Sequence, residues 1–211
     1  MQFQDLDRYA SAWSTPADEV LLHIERATHL YTIAPQMLSG PVQGALLTLL
    51  ARGQRATHIL EIGTFTGYSA ICLARGLADG PESRVVTLES NPEFAYLIDR
   101  HIAMSGLGDR IDALTGDALA LIPTLPHVWD LVFLDANKLE YAAYYDLVMD
   151  RVRPGGLIVA DNVLWGGKVL KPDQDGDAAA LHAFNQKLRA DPRVDVMILT
   201  VRDGLSIARK R

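Results

Sequence analysis

Leu131-Val-Phe-Leu and Leu157-Ile-Val-Ala are apolar at every position. A strand with one wet face alternates apolar and polar residues. A strand apolar throughout is buried on both faces, which points to a parallel sheet covered by helices on either side. β-rich runs recur at His58–Gly63, Arg84–Glu89, Arg110–Thr115, Trp129–Asp135, Gly156–Asp161 and Val194–Val201. Helical periodicity fills most of the intervals, at Tyr68–Ala78, Pro92–Ser105, Leu139–Arg151 and Ala178–Ala190. This alternation with short links predicts a doubly wound α/β fold. A seventh run, Ser206–Arg209, follows across Arg202-Asp203-Gly204-Leu205. Asp-Gly favours a hairpin, so the last strand is expected to run antiparallel to an otherwise parallel sheet.

The 211 residues suffice for one domain with a real core. Residues 56–211 supply the sheet, and residues 1–55 read as a helical cap or lid. Pro16-Ala-Asp-Glu opens one helix there, with Thr15 as its expected N-cap. A second helix starts near Gly40-Pro41. The formal net charge of -6, without a basic stripe, argues against a nucleic-acid partner. The single cysteine, Cys72, falls in a predicted helix, where it reads as a small buried hydrophobe, and one thiol without a disulfide framework suits a reducing compartment. The polar start Met1-Gln-Phe-Gln-Asp is not a signal peptide, and no apolar run nears the ~20 residues needed to cross a bilayer. The expectation is a cytoplasmic protein with no membrane partner.

The first strand and its turn read Glu61-Ile-Gly63-Thr-Phe65-Thr-Gly67-Tyr-Ser69. Glu-x-Gly-x-x-x-Gly is not the three-glycine turn that brings a pyrophosphate onto a helix N-terminus. An acidic residue at the strand end repels phosphate and suits a cationic amino-acid moiety. S-adenosylmethionine carries a sulfonium and an ammonium and no phosphate, and Gly63 and Gly67 would let the backbone approach its methionine part. The second strand ends at Glu89, 26 residues beyond Gly63, placed to accept hydrogen bonds from ribose hydroxyls. The third ends in Thr115-Gly-Asp117-Ala118, where Asp117 either faces an adenine or caps the next helix.

Two further strands end in carboxylates: Leu131-Val-Phe-Leu-Asp135-Ala-Asn-Lys138 and Leu157-Ile-Val-Ala-Asp161-Asn162. As neighbours they would lie ~5 Å apart, at the sheet edge where α/β folds bind ligands. Asp135, Asp161 and Asn162 then offer three oxygen ligands, a set suited to Mg²⁺, Mn²⁺ or Ca²⁺ rather than zinc. Such a cation would acidify a phenol, whose free pKa is ~10 by analogy with tyrosine. Lys138 could then take the proton, since a neighbouring positive charge disfavours its protonated form.

The sequence resembles the cation-dependent O-methyltransferases related to catechol and caffeoyl-coenzyme A O-methyltransferases. The resemblance is carried by Met37-Leu-Ser-Gly-Pro-Val-Gln-Gly44, Glu61–Ser69, Phe133–Lys138 with Tyr141 and Tyr144-Tyr145, and Asp161-Asn-Val-Leu-Trp-Gly-Gly167. It implies a Rossmann-like class I S-adenosylmethionine-dependent methyltransferase fold: a seven-stranded, mostly parallel sheet with an antiparallel last strand and helices on both faces. It also implies metal binding by Asp135, Asp161 and Asn162, and a base role for Lys138. Cofactor contacts are implied for Met37, Ser39, Gly63, Phe65, Ser69, Glu89, Asp117 and Asp135, and an adenine contact for the backbone of Ala118. Trp165 matches an aromatic residue near the acceptor pocket. The expected acceptor is a phenolic or catechol-like small molecule, and the expected assembly a homodimer. One departure is Ser39-Gly40-Pro41, where many relatives have Pro directly after Ser.

Two other readings stay open on the residues alone: a metal-independent methyltransferase of another small molecule, and a non-catalytic S-adenosylmethionine-binding module. A nicotinamide dehydrogenase is disfavoured by the missing Gly-x-Gly-x-x-Gly turn.

Overall fold

The computed structural model describes residues 3–211; Met1 and Gln2 of the polar start lie outside the described residues. The helices Phe3–Ala12 (α1), Glu19–Tyr31 (α2) and Gly40–Gln54 (α3) precede the first strand. The core then runs His58–Ile62 (β1), Tyr68–Gly76 (α4), Arg84–Glu89 (β2), Ala95–Ser105 (α5), Ile111–Thr115 (β3) and Ala118–Leu121 (α6). It continues with Trp129–Leu134 (β4), Tyr141–Met149 (α7), Val152–Ala160 (β5), Gly176–Ala190 (α8), Val194–Leu199 (β6) and Leu205–Lys210 (β7).

The seven strands form one sheet in the order β3-β2-β1-β4-β5-β7-β6. β3 to β5 pair in parallel, and β7 is antiparallel to both of its neighbours. The expected hairpin is therefore present, with its turn at Arg202-Asp203-Gly204. Because successive side chains on a strand point to opposite faces, the unbroken apolar runs feed two cores. Val132 and Leu134 pack with Tyr141, Tyr145 and Phe184 of α7 and α8. Leu131 and Phe133 pack with Ile24, Leu47 and Ile71 of α2, α3 and α4. The N-terminal helices thus cover one sheet face as part of its core. Cys72 is buried there with its thiol free, and burial pushes its pKa up to about 12.

One expected boundary moves. The helix expected to open at Pro16 begins at Glu19, and its N-cap is Asp18, whose carboxylate accepts from Leu21 N at 3.1 Å, not Thr15. Asp18 also pairs with Arg75 of α4 at 2.6 Å, a partner in the fold that Thr15 lacks the charge to engage. Among the described residues no helix is long and apolar enough to cross a membrane.

Candidate active site

The parallel ladder runs past the strand ends and sets the site. Asp135 N donates to Ile62 O at 2.8 Å and Asp161 N to Leu134 O at 2.9 Å. The residues that follow β4 and β5 are thereby held side by side at the C-terminal edge of the sheet. There a cleft of two adjoining lobes opens, of about 500 and about 540 Å³, with Met37, Gly63, Phe65 and Asp135 on the walls of both.

The first lobe is lined by Glu89, Asp117, Ala118, Phe94, Glu140 and Tyr144, among others, and by no lysine or arginine. A phosphate would meet carboxylates and no cation there; a phosphate-free, cationic nucleoside fits. Glu89 accepts from Phe65 N at 2.8 Å and Asn91 N at 2.9 Å, so it pins the turn after β1 while facing the lobe. Asp117 does what its sequence position left open: it caps α6, accepting from Leu119 N at 2.9 Å, and also lines the lobe. Phe65, at φ 51°, stacks edge-on against Phe94 with centroids 4.9 Å apart. The tip of this turn is clamped from two helices. The Thr66 hydroxyl meets that of Thr28 on α2 at 2.9 Å, and the Thr66 carbonyl accepts from His101 Nδ1 on α5 at 2.8 Å.

Two residues of the turn sit differently from expectation. Glu61 lines neither lobe: it is fully buried, with Oε2 accepting from Thr87 at 2.5 Å and Oε1 without a partner. Burial pushes its pKa up to about 8, against the opposing influence of the neighbouring Ser69 and Thr87 hydroxyls, and so favours the protonated acid at neutral pH. Its reach to the cleft is through Ser69, which does line it. Gly67 also lies off both walls and serves as the left-handed N-cap of α4. Gly63 is on the wall, but the group crowding it is protein: at φ 101°, a Cβ there would collide with the Asp135 carbonyl oxygen. Close approach of two strand ends, rather than of a ligand alone, demands that glycine.

The second lobe gathers Ser39, Ser69, Asp135, Lys138, Asp161, Asn162, Trp165, Asp177 and Arg202. Lys138 Nζ donates to Asp135 Oδ1 at 2.9 Å and to the Tyr141 hydroxyl at 2.8 Å. That hydroxyl in turn donates to the main-chain carbonyls of Leu134 and Asp161, at 3.1 and 3.2 Å. Burial raises the Tyr141 pKa well above its usual value, so it stays a neutral holder. Asp161 accepts from Gln43 Nε2 and from Asn162 N, both at 2.7 Å. Burial, then the charge of Asp135, pushes its pKa up to about 6. Asn162 and Trp165 adopt positive φ (59° and 46°) in the loop that follows, a conformation Asn tolerates better than most residues. Among the described residues no group of three or more His, Cys, Asp or Glu is placed to hold a metal; the oxygen set here is two carboxylates and an amide. Two carboxylates beside an amide oxygen, one of them buried next to the charge of the other, fit a hard divalent cation.

Of the residues singled out from sequence, Met37, Ser39, Gly63, Phe65, Ser69, Glu89, Asp117, Ala118, Asp135, Lys138, Asp161, Asn162 and Trp165 all line the cleft. Gln43 and Tyr141 were not singled out for a role, although both fall in the segments that carry the family resemblance. A buried Gln and a buried Tyr gave no polar pattern of their own to read.

Comparison with known proteins places the site in context. The O-methyltransferase family profile matches residues 11–211. The catechol O-methyltransferase of Niastella koreensis is 36% identical over 218 aligned positions, covering 98% of this chain and 96% of that protein. The catechol O-methyltransferase of Mycobacterium tuberculosis is 40% identical over 162, covering 76% and 73%. Among solved structures, the O-methyltransferase TomG of Streptomyces achromogenes in complex with SAM superposes with a TM-score of 0.91 at 34% identity, covering 100% of this chain and 99% of that one.

Proposed function

The chain belongs to this family of S-adenosylmethionine-dependent O-methyltransferases, and from that premise we propose that it is a divalent-cation-dependent enzyme that methylates one hydroxyl of a vicinal aromatic diol. The observation that carries the proposal is the convergence of Asp135, Asp161, Asn162 and Lys138 on one lobe, continuous with the cationless lobe through Gly63 and Asp135. The names of the two catechol O-methyltransferase relatives support the acceptor class.

S-adenosylmethionine supplies an electrophilic methyl when bound, and its nucleoside would lie against Glu89, Asp117 and Ala118. A divalent cation held by Asp135, Asp161 and Asn162 would supply Lewis acidity, which lowers the pKa of an acceptor hydroxyl. The chain's own residues do the rest. Gln43 and Asn162 N fix the Asp161 carboxylate in one orientation. Tyr141, anchored to two carbonyls, holds Lys138 Nζ in the second lobe, where the ammonium would be disfavoured by a cation bound at its Asp135 partner, and the neutral amine would be positioned to take the proton of the reacting hydroxyl. Trp165 provides an apolar wall for an aromatic acceptor. Positioning and fixed charge, rather than covalent chemistry, would account for most of the acceleration. A homodimer belongs to the same proposal, supported by the exposed apolar residues Leu30, Tyr31 and Ile33; sedimentation velocity tests it, and a monomer at micromolar concentration would remove it.

The deciding experiment is transfer of labelled methyl to a panel of catechols, caffeic acid, its coenzyme A ester and monophenols, with Mg²⁺ or with EDTA. Methylation of diols but not monophenols, lost in EDTA and restored by Mg²⁺, is the expected result. Undiminished turnover in EDTA would remove the metal; transfer to monophenols alone would remove the diol.

A further inference from the structure

The turn joining β6 to β7 is the last segment of the chain to reach the cleft: it contributes Arg202 to the second lobe and touches two other walls of it. On one side, Arg202 Nη1 donates to the carbonyl oxygens of Leu38, at 2.9 Å, and of Ser39. These residues line the second lobe and lead into α3; both are buried, and the Ser39 side chain makes no capping bond for that helix. On the other side, Val163 N donates to Gly204 O at 3.0 Å and Leu164 N to Asp203 O at 2.9 Å, while Gly166 N donates to the Asp203 carboxylate. Gly204, at φ 90°, has the Leu164 side chain where a Cβ would stand, so turn and loop are interlocked as well as hydrogen-bonded. The loop so held, Asn162–Gly166, carries Asn162 and Trp165. The circuit closes through α3, whose Gln43 binds Asp161 directly before that loop. Arg202 is itself held at φ 49°, a left-handed conformation unfavourable for its side chain.

We propose that Arg202 is a positioning residue that couples two walls of the second lobe: through the Arg202-Asp203-Gly204 turn, ordering by the cofactor of the Leu38–Ser39 segment, which directly follows Met37 on the wall shared by both lobes, orders the Asn162–Gly166 wall. Its guanidinium reaches the Leu38–Ser39 segment and its neighbours Asp203 and Gly204 grip the Asn162–Gly166 loop, so neither segment can shift without displacing the same short turn. An arginine serving only to solvate a hairpin would not place one nitrogen on two main-chain carbonyls 163 and 164 residues away. The assignment rests on the reading of the second lobe as the acceptor site. Its test needs no acceptor, so failure of the diol reading and failure of the coupling are separable.

The experiment is amide hydrogen exchange of the full chain, with and without S-adenosylhomocysteine, for wild type, Arg202→Met and Arg202→Lys, with ligand affinity measured by calorimetry. In wild type the ligand is expected to slow exchange in both 37–43 and 162–166. In R202M, at ligand concentrations that saturate the variant, protection in 37–43 is expected to persist and protection in 162–166 to be lost. The dissociation constant should rise about 5-fold or more, the lower end of usual coupling between sites. R202K, which can still reach one carbonyl, should restore part of the 162–166 protection. Wild-type protection of 162–166 in saturated R202M, or no ligand effect on 162–166 in wild type, would overturn the proposal. An R202K protein that behaves as R202M would also count against it.

Discussion

Glu61→Gln tests the least expected feature of the cofactor turn, a fully buried acid that keeps its proton. In the unfolded chain this group ionises near its ordinary value of 4.5, whereas in the folded chain burial holds the proton to about pH 8. Between those values the native state binds one proton more than the unfolded state. Stability must therefore fall as pH rises, by about 1.4 kcal/mol per pH unit for this one group. From pH 5 to 7.5 the accumulated loss is about 3 kcal/mol, levelling off as pH passes the folded pKa. Glutamine has nearly the same shape, keeps an oxygen to accept from Thr87, and does not titrate. The unfolding free energy of E61Q minus that of wild type should thus climb by about 3 kcal/mol across that range. All other titrating groups are common to both proteins and cancel in the difference. Urea denaturation followed by tryptophan fluorescence at half-unit pH steps measures it. A difference that stays flat from pH 5 to 7.5 would mean that Glu61 is ionised in the folded protein, and the account of a protonated carboxyl beneath Ser69 would be wrong.

Four further outcomes are expected. Lys138→Met should lower kcat by about 10²- to 10⁴-fold, the usual contribution of a positioned base, with binding of S-adenosylhomocysteine retained; a kcat near wild type would exclude Lys138 as the base. Gly63→Ala, which drives a Cβ into the Asp135 carbonyl at a positive φ, should cost about 3 kcal/mol or more, and a thermal transition at the wild-type temperature would show that the two strand ends can part cheaply. His101 is buried and its pKa is lowered by that burial, so the unfolded chain takes the proton first and stability should fall as pH drops below about 6.5; His101→Gln, still able to donate to Thr66, should flatten this acid limb in the same urea series. Cys72, with its thiol pushed up to about 12, should react with Ellman's reagent at pH 8 only on unfolding, and prompt labelling of the native protein would contradict its burial.

Much of this molecule is legible in one dimension because its signals are local. Leu131-Val-Phe-Leu and Leu157-Ile-Val-Ala announce strands covered on both faces, and Asp203-Gly204 announces the reversal of β7, because burial pattern and turn chemistry repeat over a few residues. The same locality placed Asp135, Asp161 and Asn162 at strand ends, and a parallel sheet brings strand ends together. The start of α2 escaped for a related reason: Thr15 and Asp18 are both good caps, and the Arg75 partner that accompanies Asp18 arrives from another helix. What only the tertiary structure decided are relations between distant segments. Glu61 reads as a cleft carboxylate, but the tertiary packing buries it completely off the cleft walls, and that burial raises its pKa against the hydrogen bonds of Ser69 and Thr87. Gly63 reads as room for a ligand, but the neighbouring β4 end supplies the crowding atom. Gln43 meets Asp161 across 118 residues, and Arg202 meets Ser39 across 163. Such pairings depend on where whole elements pack, and a periodicity of two or of 3.6 residues carries no information about them.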